Sequence, residues 1–422
     1  MYFKEYLLKV VISSFGSSGD FNPCLGIARS LAQKGADVIF LSNPYYEKTI
    51  TNAGLRFCPA GEYFDVFEAI KDNPDCFDAT KGPRLIWKMV LETVPEMYSA
   101  MKQLIETERP DVIASHILEY GGMLAAKKCG IPYITLSPTP MGWFNATKPG
   151  YLTYWKLPLP IRRLHAKIML FMMNAAIRYT LKWQCQKHGI DQSFASLHDV
   201  YSSSLLNLGL WSESLRPGCT DDPDGSKICG FVRDEHIKDW PDVPAEIEEL
   251  FKLDPKPVVV GLGSGVSLNA DAIYQSTIKS CKKLNRPCLL IGKGLSGYTD
   301  PDNNIFTVDF APYGWVFPSS AAVIHHGGLN TTAETLRAGV VSLVIPHGYD
   351  QFDNAIRAEM MGISRNINLG STGSQKFVTK LNEILTCQNM QTKAKEISNQ
   401  LRKEPDGART AAEAIISITR KQ

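Results

Sequence analysis

The residue types best suited to chemistry are concentrated between residues 308 and 351. His325 and His326 end a short apolar run that is typical of a buried strand, and the glycine pair after them predicts a sharp turn. Asn330 and Thr331 follow and are typical caps of a helix start. Because a helix N-terminus presents unpaired N–H groups and a positive dipole end, this order of residues predicts a binding site for a diphosphate.

A second set of polar groups is predicted to face the same crevice, because ligands of open α/β sheets bind outside the carboxyl ends of the strands. Asp350 and Gln351 follow the next apolar run, residues 340–345. A carboxylate and an amide side by side suit vicinal hydroxyl groups. Glu334 lies one turn into the predicted helix, where it can accept from ribose hydroxyls. An ordinary βαβ unit explains the glycines and threonines by themselves, but it does not explain these polar groups.

Length and composition limit the number of domains and the classes of partner that the protein can have. The 422 residues predict two or three domains, and a hydrophobic content of 44% is enough for packed cores. The formal net charge of +2, with both signs interspersed, argues against a nucleic-acid polymer as a partner. Ten cysteines without C-x-x-C or zinc-like spacing predict reduced thiols. The first residues are typical of a strand and not of a signal peptide, so a cytoplasmic protein is expected.

Apolar runs alternate with amphipathic stretches along most of the chain, which predicts an α/β fold with two doubly wound sheets. A helix is predicted at 23–34, and a last helix at 408–421. Strands are predicted at 7–13, 36–41, 111–115, 133–136, 205–208, 258–262, 320–325 and 340–345.

Asp20 lies in the turn FGSSGDFNP between the first strand and the first helix. This position is at the carboxyl edge of the predicted sheet, where a carboxylate faces the crevice. Asp20 is therefore either a helix N-cap or a reactive group. The turn VVVGLGSGVS at 258–267 is not a dinucleotide-binding fingerprint, because it lacks the spacing and the downstream acidic residue.

The stretch from 308 to 351 resembles the donor signature of inverting family 1 glycosyltransferases, which reads W-x-P-Q, then H-x-G-x-N-S/T, a glutamate and D-Q. The matching positions after His326 are Gly328, Asn330, Thr331, Glu334 and the pair Asp350-Gln351. One part departs from the pattern, because Phe310 and Tyr313 stand where the family has tryptophan and glutamine.

The resemblance implies a role for each matching residue. His326, Asn330 and Thr331 would contact the diphosphate, and Glu334 would contact the ribose. Asp350 and Gln351 would bind the sugar hydroxyls. The donor set that the resemblance implies is Ser264, Phe310, Ala311, His326, Gly328, Asn330, Thr331, Glu334, Asp350 and Gln351.

The resemblance also implies the GT-B architecture, in which two Rossmann-like domains face a central crevice. The expected N-terminal, acceptor-binding domain spans 1–232, and a linker follows at 233–256. The expected nucleotide-sugar domain spans 257–407, and a helix at 408–422 crosses back to the first domain.

In the N-terminal half, Gly19-Asp20-Phe21-Asn22-Pro23 matches the family's G-D-x-x-P pattern, whose aspartate or histidine is regarded as the base. The resemblance therefore assigns Asp20 as the base that deprotonates the acceptor. Family members with histidine there orient it through an acidic residue after a later strand. The equivalent position falls on Ser115 or His116. If it is His116, a carboxylate base is oriented by an imidazole; a histidine that merely ends a strand is the alternative.

The N-terminal segment resembles bacterial rhamnosyltransferases of the rhamnolipid-forming type and glycosyltransferases of secondary metabolism. The implied reaction moves a hexose or deoxyhexose from a UDP- or dTDP-sugar to a hydrophobic small molecule or lipid, without a metal or other cofactor. Expected acceptor contacts are Trp143, Phe144 and Tyr349. A GT-B nucleotide-sugar epimerase and a non-catalytic auxiliary protein are the alternatives.

Three further segments concern binding of a metal ion or of a membrane surface. Asp222-Pro223-Asp224 and Asp300-Pro301-Asp302 mimic the D-x-D motif of metal-dependent transferases, but their prolines predict turns in polar loops. Residues 167–181 are apolar around most of a helix and have basic flanks. Either a buried helix or a peripheral contact with a membrane surface, such as the inner membrane, accounts for them.

Overall fold

The computed structural model describes residues 7–65, 68–69, 72–77, 81–143, 145, 147, 157–190, 197–233, 240, 242–263 and 270–421. The chain divides into two compact units. Met1–Ala69, Thr80–Arg233 and Pro405–Gln422 form the first unit, and Ile70–Ala79 with Asp234–Glu404 form the second.

The first unit contains a seven-stranded parallel sheet in the order β3-β2-β1-β4-β5-β6-β7. The strands are β1 Lys9–Ser13, β2 Asp37–Ser42, β3 Arg56–Pro59, β4 Val112–His116, β5 Tyr133–Ser137, β6 Leu206–Gly209 and β7 Ser226–Ile228. Its helices are α1 Ser18–Gln33, α2 Glu47–Asn52, α3 Gly82–Glu92, α4 Val94–Glu108, α5 Tyr120–Cys129, α6 Leu159–Lys187 and α7 Leu197–Ser202.

Strand β1 shows why this sheet is covered on both faces. Its side chains alternate in direction, so Val10 and Ile12 belong to one apolar cluster and Val11 to another. All three are fully buried. A parallel strand that is buried on both faces is expected to be continuously apolar, as the sequence KVVIS is over its central residues.

The second unit contains a six-stranded parallel sheet in the order β10-β9-β8-β11-β12-β13. The strands are β8 Val258–Gly261, β9 Cys288–Ile291, β10 Ile305–Val308, β11 Ala322–His325, β12 Ser342–Val344 and β13 Ser364–Asn366. Its helices are α8 Ala245–Leu250, α9 Asp271–Leu284, α10 Tyr313–Val316, α11 Leu329–Ala338, α12 Asp350–Met360, α13 Gln375–Thr386 and α14 Gln388–Leu401.

Short 3₁₀ turns occur in both units, at Pro44–Tyr46, Pro74–Phe77, Pro140–Trp143, Ser296–Tyr298, Pro301–Asn303, Phe317–Ser319 and Leu369–Ser371.

The last helix, α15 (Gly407–Thr419), belongs to the first unit and packs against its apolar core. Asp406 caps it by accepting from the amide N–H groups of Ala408 at 2.9 Å and Arg409 at 3.2 Å. The other oxygen of Asp406 accepts from the amide of Arg233 at 2.9 Å. A side chain at Gly407 would lie 2.3 Å from the carbonyl oxygen of Gly230, so glycine permits this close approach.

The doubly wound α/β fold predicted from the sequence is confirmed. Two local predictions were wrong. Helix α1 begins at Ser18, five residues before the predicted start, so Asp20 lies in its first turn and is not its N-cap. Helix α6 is not buried around its circumference, because Leu164 and Phe171 are 61% and 75% exposed.

Candidate active site

Asp20 is held at the carboxyl edge of the first sheet by the start of α1. One oxygen of its carboxylate accepts from the amide of Ser17 at 3.1 Å and from the Ser17 hydroxyl at 3.2 Å. The turn before it depends on Gly16, which has a φ of 129°; a Cβ there would lie 2.6 Å from the same oxygen. The Asp20 side chain is 34% exposed, so it remains accessible to a small molecule.

His116 is the partner of Asp20, at the end of β4. Its Nδ1 accepts a hydrogen bond from the amide of Leu118 at 3.2 Å, so the ring proton of the neutral form resides on Nε2. Nε2 lies 3.3 Å from Oδ1 of Asp20, although its N–H is not aligned for a hydrogen bond. The His116 side chain is 2% exposed. Of the two positions left open by the sequence, His116 is therefore the one that faces Asp20.

Ser115 is fully buried in β4. Glu119, three residues after His116, is a functional candidate that the sequence analysis missed. Glu119 is 2% exposed and caps α5 by accepting from the amide of Gly122 at 2.7 Å. Its other oxygen accepts from the Ser13 hydroxyl at 2.7 Å. Burial raises the pKa of Glu119 to about 7, and these hydrogen bonds oppose the rise. Glu119 lies two residues before the glycine pair Gly121-Gly122, and this position could have been predicted as a helix cap. Its burial depends on tertiary packing and could not be predicted from the sequence.

In the second unit, the predicted strand, glycine turn and helix are present as β11 and α11. His325 ends β11, and its Nδ1 accepts from the amide of Gly327 at 3.1 Å. Burial lowers the pKa of His325 to about 3. The pKa of His326 is also lowered to about 3, first by burial and then by the neighbouring His325 and His347. His326 is therefore neutral at pH 7.

The ring of His326 lies over both glycine turns of this unit. A Cβ at Gly328 would lie 2.4 Å from its Nε2, and a Cβ at Gly263 would lie 2.9 Å from its Cε1. Gly263 lies two residues after the end of β8, and Gly328 lies directly before α11. The two turns thus leave space for one imidazole because both lack side chains.

Gly327 brings the starts of α11 and α12 together. Its φ of 89° favours glycine, and a Cβ there would lie 2.9 Å from the carbonyl oxygen of Gln351. The side-chain amide of Asn354 donates to the carbonyl oxygen of Gly327 at 3.0 Å and to Asp350 at 2.9 Å. Two helix N-termini therefore meet at one place, which concentrates N–H groups and positive dipole ends.

The predicted contacts at the start of α11 differ in accessibility. Asn330 is exposed, whereas Thr331 is buried. The hydroxyl of Thr332 donates to the carbonyl oxygen of Gly328 at 3.0 Å, so it stabilises the helix start. Glu334 forms an ion pair with Arg337 one turn further along the same helix. Asn330 is the residue of this group that is most available to a ligand.

The other predicted sugar contacts, Asp350 and Gln351, are the first two residues of α12, directly after the loop that contains His347, Gly348 and Tyr349. The side-chain oxygen of Gln351 accepts from the amides of His347 at 2.8 Å and Gly348 at 3.3 Å, so it stabilises the loop. Tyr349 has a φ of 55°, a conformation that costs a non-glycine residue free energy and is often found at functional sites. The Tyr349 hydroxyl donates to the carbonyl oxygen of Cys76, in the same unit.

The aromatic residues of the donor signature have separate environments. Phe310 follows β10 and is 62% exposed, so its ring face is free to stack on a base. Ala311 is buried. Tyr313 stacks on Phe317 with ring centroids 4.4 Å apart, and its hydroxyl packs against Gly261. Phe310 is thus the candidate base platform, and Tyr313 belongs to the core beneath β8.

Trp143 was predicted to contact the acceptor, but its ring is 2% exposed and packs edge-on against Trp211 at 4.6 Å. This packing assigns Trp143 to the interior of the first unit. The predicted contacts of Ser264 and Phe144 lie outside the described residues.

The two D-x-D-like segments use carboxylates for ion pairs. Asp222 accepts from the buried guanidinium of Arg216, with one N–O distance of 2.8 Å, and from the amide of Cys219 at 2.9 Å. Asp300 lies 2.6 Å from the ammonium of Lys282. Within the described ranges, no three acidic, histidine or cysteine side chains are grouped as metal ligands. None of the helices described is long and apolar enough to cross a bilayer.

Two family models match the chain. One, described as the N-terminal domain of glycosyltransferase family 28, matches residues 10–135. The other, described as the C-terminal domain of erythromycin biosynthesis protein CIII-like proteins, matches residues 294–416. The matches cover the first four strands of one unit and most of the other unit.

Similar proteins include fungal enzymes and solved glycosyltransferases. The sterol 3-beta-glucosyltransferase of Debaryomyces hansenii is 24% identical over 435 residues, which cover 95% of this chain and 26% of that protein. The chain spans only about a quarter to a third of the curated relatives it matches. The glycosyltransferase of kitacinnamycin has a TM-score of 0.76 and 22% identity over 98% of this chain and 100% of that chain. The glycosyltransferase VinC, solved in complex with dTDP, has a TM-score of 0.66 and 17% identity, with coverage of 98% and 100%.

The two parallel sheets and the similarity to these solved structures show the GT-B fold. The chain resembles GT-B glycosyltransferases in both of its units, as the sequence analysis predicted. Residues 10–135 of the first unit carry the family 28 match, and residues 294–416 carry the EryCIII-like match.

Proposed function

We propose that this protein transfers a hexose or deoxyhexose from a UDP- or dTDP-sugar to a hydrophobic acceptor, with inversion and without a metal. The observation that carries the proposal is the pairing of Asp20 with the buried His116 at a sheet edge, at 3.3 Å. A carboxylate with an imidazole N–H beside it is suited to receive a proton from a hydroxyl group.

The proposed reaction is a single displacement. Asp20 accepts the proton of the acceptor hydroxyl while the oxygen attacks the anomeric carbon. The bond between that carbon and the diphosphate oxygen breaks, and the electron pair leaves with the diphosphate. His116 orients the Asp20 carboxylate and stabilises its position without taking the proton itself. General-base assistance of this kind contributes ~10² to 10⁴-fold to the rate.

The donor site of the proposal is the glycine turn of the second unit. The N–H groups at the starts of α11 and α12, together with neutral His326 and Asn330, would bind the diphosphate. Asp350 would bind sugar hydroxyls, and Phe310 would stack on the base. Fixed N–H donors stabilise a departing diphosphate because they are oriented before the charge develops.

The acceptor class and the source are supported by similarity alone. The related fungal proteins are named as sterol glucosyltransferases, and the related solved structures include a spinosyn rhamnosyltransferase. Both names indicate large apolar acceptors. We propose an acceptor of this chemistry, and a role in secondary metabolite or glycolipid synthesis in a bacterium.

Thermal-shift measurements with UDP, dTDP and GDP and their sugars, followed by mass spectrometry, test the proposal. Stabilisation by UDP or dTDP and a product heavier by one sugar residue are expected with a sterol or polyketide acceptor. A sugar nucleotide isomerised without any acceptor would indicate an epimerase. Nucleotide binding without turnover over a broad acceptor panel would favour an auxiliary protein.

A further inference from the structure

Helix α6 is a long surface helix with two distinct sides. At 29 residues and ~1.5 Å per residue, it extends over roughly 43 Å. Ala166, Ile177, Leu181 and Cys185 are buried and attach one side to the first unit. The opposite side faces solvent along the helix.

The solvent-facing side is apolar, contrary to the pattern of an ordinary surface helix. At helical spacing of three and four residues, large apolar side chains follow one another along this side. Seven of the twelve exposed large hydrophobic side chains in the described part of the chain are on α6: Ile161, Leu164, Ile168, Phe171, Met172, Tyr179 and Trp183. Their exposed fractions run from 49% to 76%. A contiguous apolar patch of this kind indicates a binding surface.

The charges on α6 are all of one sign. Its sequence contains six lysines and arginines and no aspartate or glutamate. On a helical wheel, Arg162 and Lys187 lie on one edge of the apolar side, Arg163, Lys167 and Arg178 lie on the other, and Lys182 lies within the apolar side. Long basic side chains on both edges can extend to phosphate groups while the apolar residues enter the layer below.

We propose that the apolar side of α6, with its flanking cations, docks on the surface of an anionic lipid bilayer. The helix lies parallel to the surface, because its six cations exclude it from the hydrocarbon core. The positive charges on α6 favour an anionic membrane over a second copy of the chain as the partner. A second copy of the chain would bring six cations against six cations, whereas a negatively charged membrane attracts them. This proposal does not depend on the proposed sugar transfer.

Co-sedimentation of the whole protein with vesicles tests this docking. The protein is expected to bind vesicles of phosphatidylcholine with phosphatidylglycerol, and to bind much more weakly to phosphatidylcholine alone or in high salt. The variant Arg163→Gln, Lys167→Gln, Arg178→Gln should bind on the order of 100-fold more weakly. Its control, Lys48→Gln, Lys102→Gln, Lys252→Gln, removes the same charge from exposed sites elsewhere and should bind like the wild type.

A second variant tests the apolar side separately. Leu164→Ser, Phe171→Ser, Trp183→Ser removes exposed side chains, so folding should be unchanged while vesicle binding falls at least ~10-fold. Met360→Ser, Leu369→Ser is the control for loss of exposed apolar groups outside α6. Vesicle binding by the α6 variants equal to that of the wild type would overturn the proposal. So would a lipid-free dimer that the apolar variant dissociates, since α6 would then be an interface between copies.

Discussion

Asp20 and His116 have different roles in the proposed deprotonation of the acceptor. The Nδ1 of His116 already accepts from the amide of Leu118, so its Nε2 carries the proton in the neutral ring. The neutral ring therefore has no free lone pair that could accept a proton from the acceptor hydroxyl. In the proposed reaction Asp20 is therefore the member of the pair that takes the proton, and His116 is proposed as a positioning residue. The arrangement reverses the histidine base and acidic partner of other family members.

The first prediction separates these two roles. Asp20→Asn should reduce transfer by at least ~100-fold, because asparagine keeps the shape and the hydrogen bond to Ser17 but cannot take a proton. His116→Ala should cost only ~10 to 100-fold, and His116→Gln, which keeps an N–H donor, should recover part of that loss. Single-turnover rates and sugar-nucleotide affinity provide the measurements. Normal turnover by Asp20→Asn would refute the assignment, and loss of donor affinity would show that Asp20 maintains the fold.

The buried Glu119 predicts a pH dependence of stability. Its pKa rises from an ordinary value of 4.5 to about 7, so the folded state binds the proton more tightly than the unfolded state. The contribution of Glu119 to the free energy of unfolding is fully present below pH 4.5. It is lost as the pH rises to 7, and the loss is on the order of 3 kcal/mol. Glu119→Gln keeps an acceptor for Gly122 and does not titrate. Denaturant unfolding from pH 5 to pH 8 should show a decline in the wild type that is reduced in Glu119→Gln; parallel profiles would contradict the prediction.

At the scale of elements, the sequence predicted the strands that carry the site better than the contacts between them. The apolar runs before Asp20 and His326 are local signals, and they correspond to β1 and β11. Helix α1 begins at Ser18 and not at the predicted Pro23, because Ser17 and Asp20 form a capping box one turn earlier. The approach of Gly327 to Gln351 could not be predicted, because it depends on how the separate helices α11 and α12 pack against each other.

The junction of α11 and α12 gives the third prediction. Gly327→Ala should destabilise the protein by about 1–3 kcal/mol and weaken nucleotide binding, because the new Cβ meets the rigid carbonyl of Gln351 at a positive φ. Gly294→Ala is a matched control, since Gly294 has a φ of 74° and open space around it. Thermal melting and UDP titration should show a smaller loss of stability and normal affinity for the control. Equal effects of both substitutions would mean that backbone strain alone matters.

The two helix starts are predicted to bind different parts of the donor. His326→Ala should weaken binding of UDP or dTDP and of the sugar nucleotide alike, because the imidazole faces the diphosphate in the proposed site. Asp350→Ala should weaken only binding of the sugar nucleotide, because in the proposed site its carboxylate contacts the sugar. Gln351 is a less selective probe, since its side chain also holds the amides of His347 and Gly348. Calorimetric titration distinguishes these effects; equal losses in Asp350→Ala for nucleotide and sugar nucleotide would assign that residue to the fold.

Over the whole molecule, the same arrangement recurs in two units. Each has a parallel sheet with a glycine turn at a strand end and a polar side chain beside it: Asp20 near Gly16 in the first and His326 near Gly327 in the second. The recurrence follows from the geometry of parallel sheets, whose carboxyl ends and helix starts lie at one edge. The proposed catalytic and donor-binding groups thus lie in separate units, each with its own apolar core.

The last prediction concerns how the charge of the leaving diphosphate is stabilised. In metal-dependent transferases acidic side chains hold a cation for this purpose, but here Asp222 is bound by Arg216 and Asp300 by Lys282. The proposed stabilising groups are the N–H donors of α11 and α12 and the neutral imidazole of His326. Transfer should therefore continue in EDTA at the rate seen with magnesium. Loss of activity on chelation and its recovery on adding magnesium or manganese would contradict this, and His326→Ala should slow transfer equally with and without the metal.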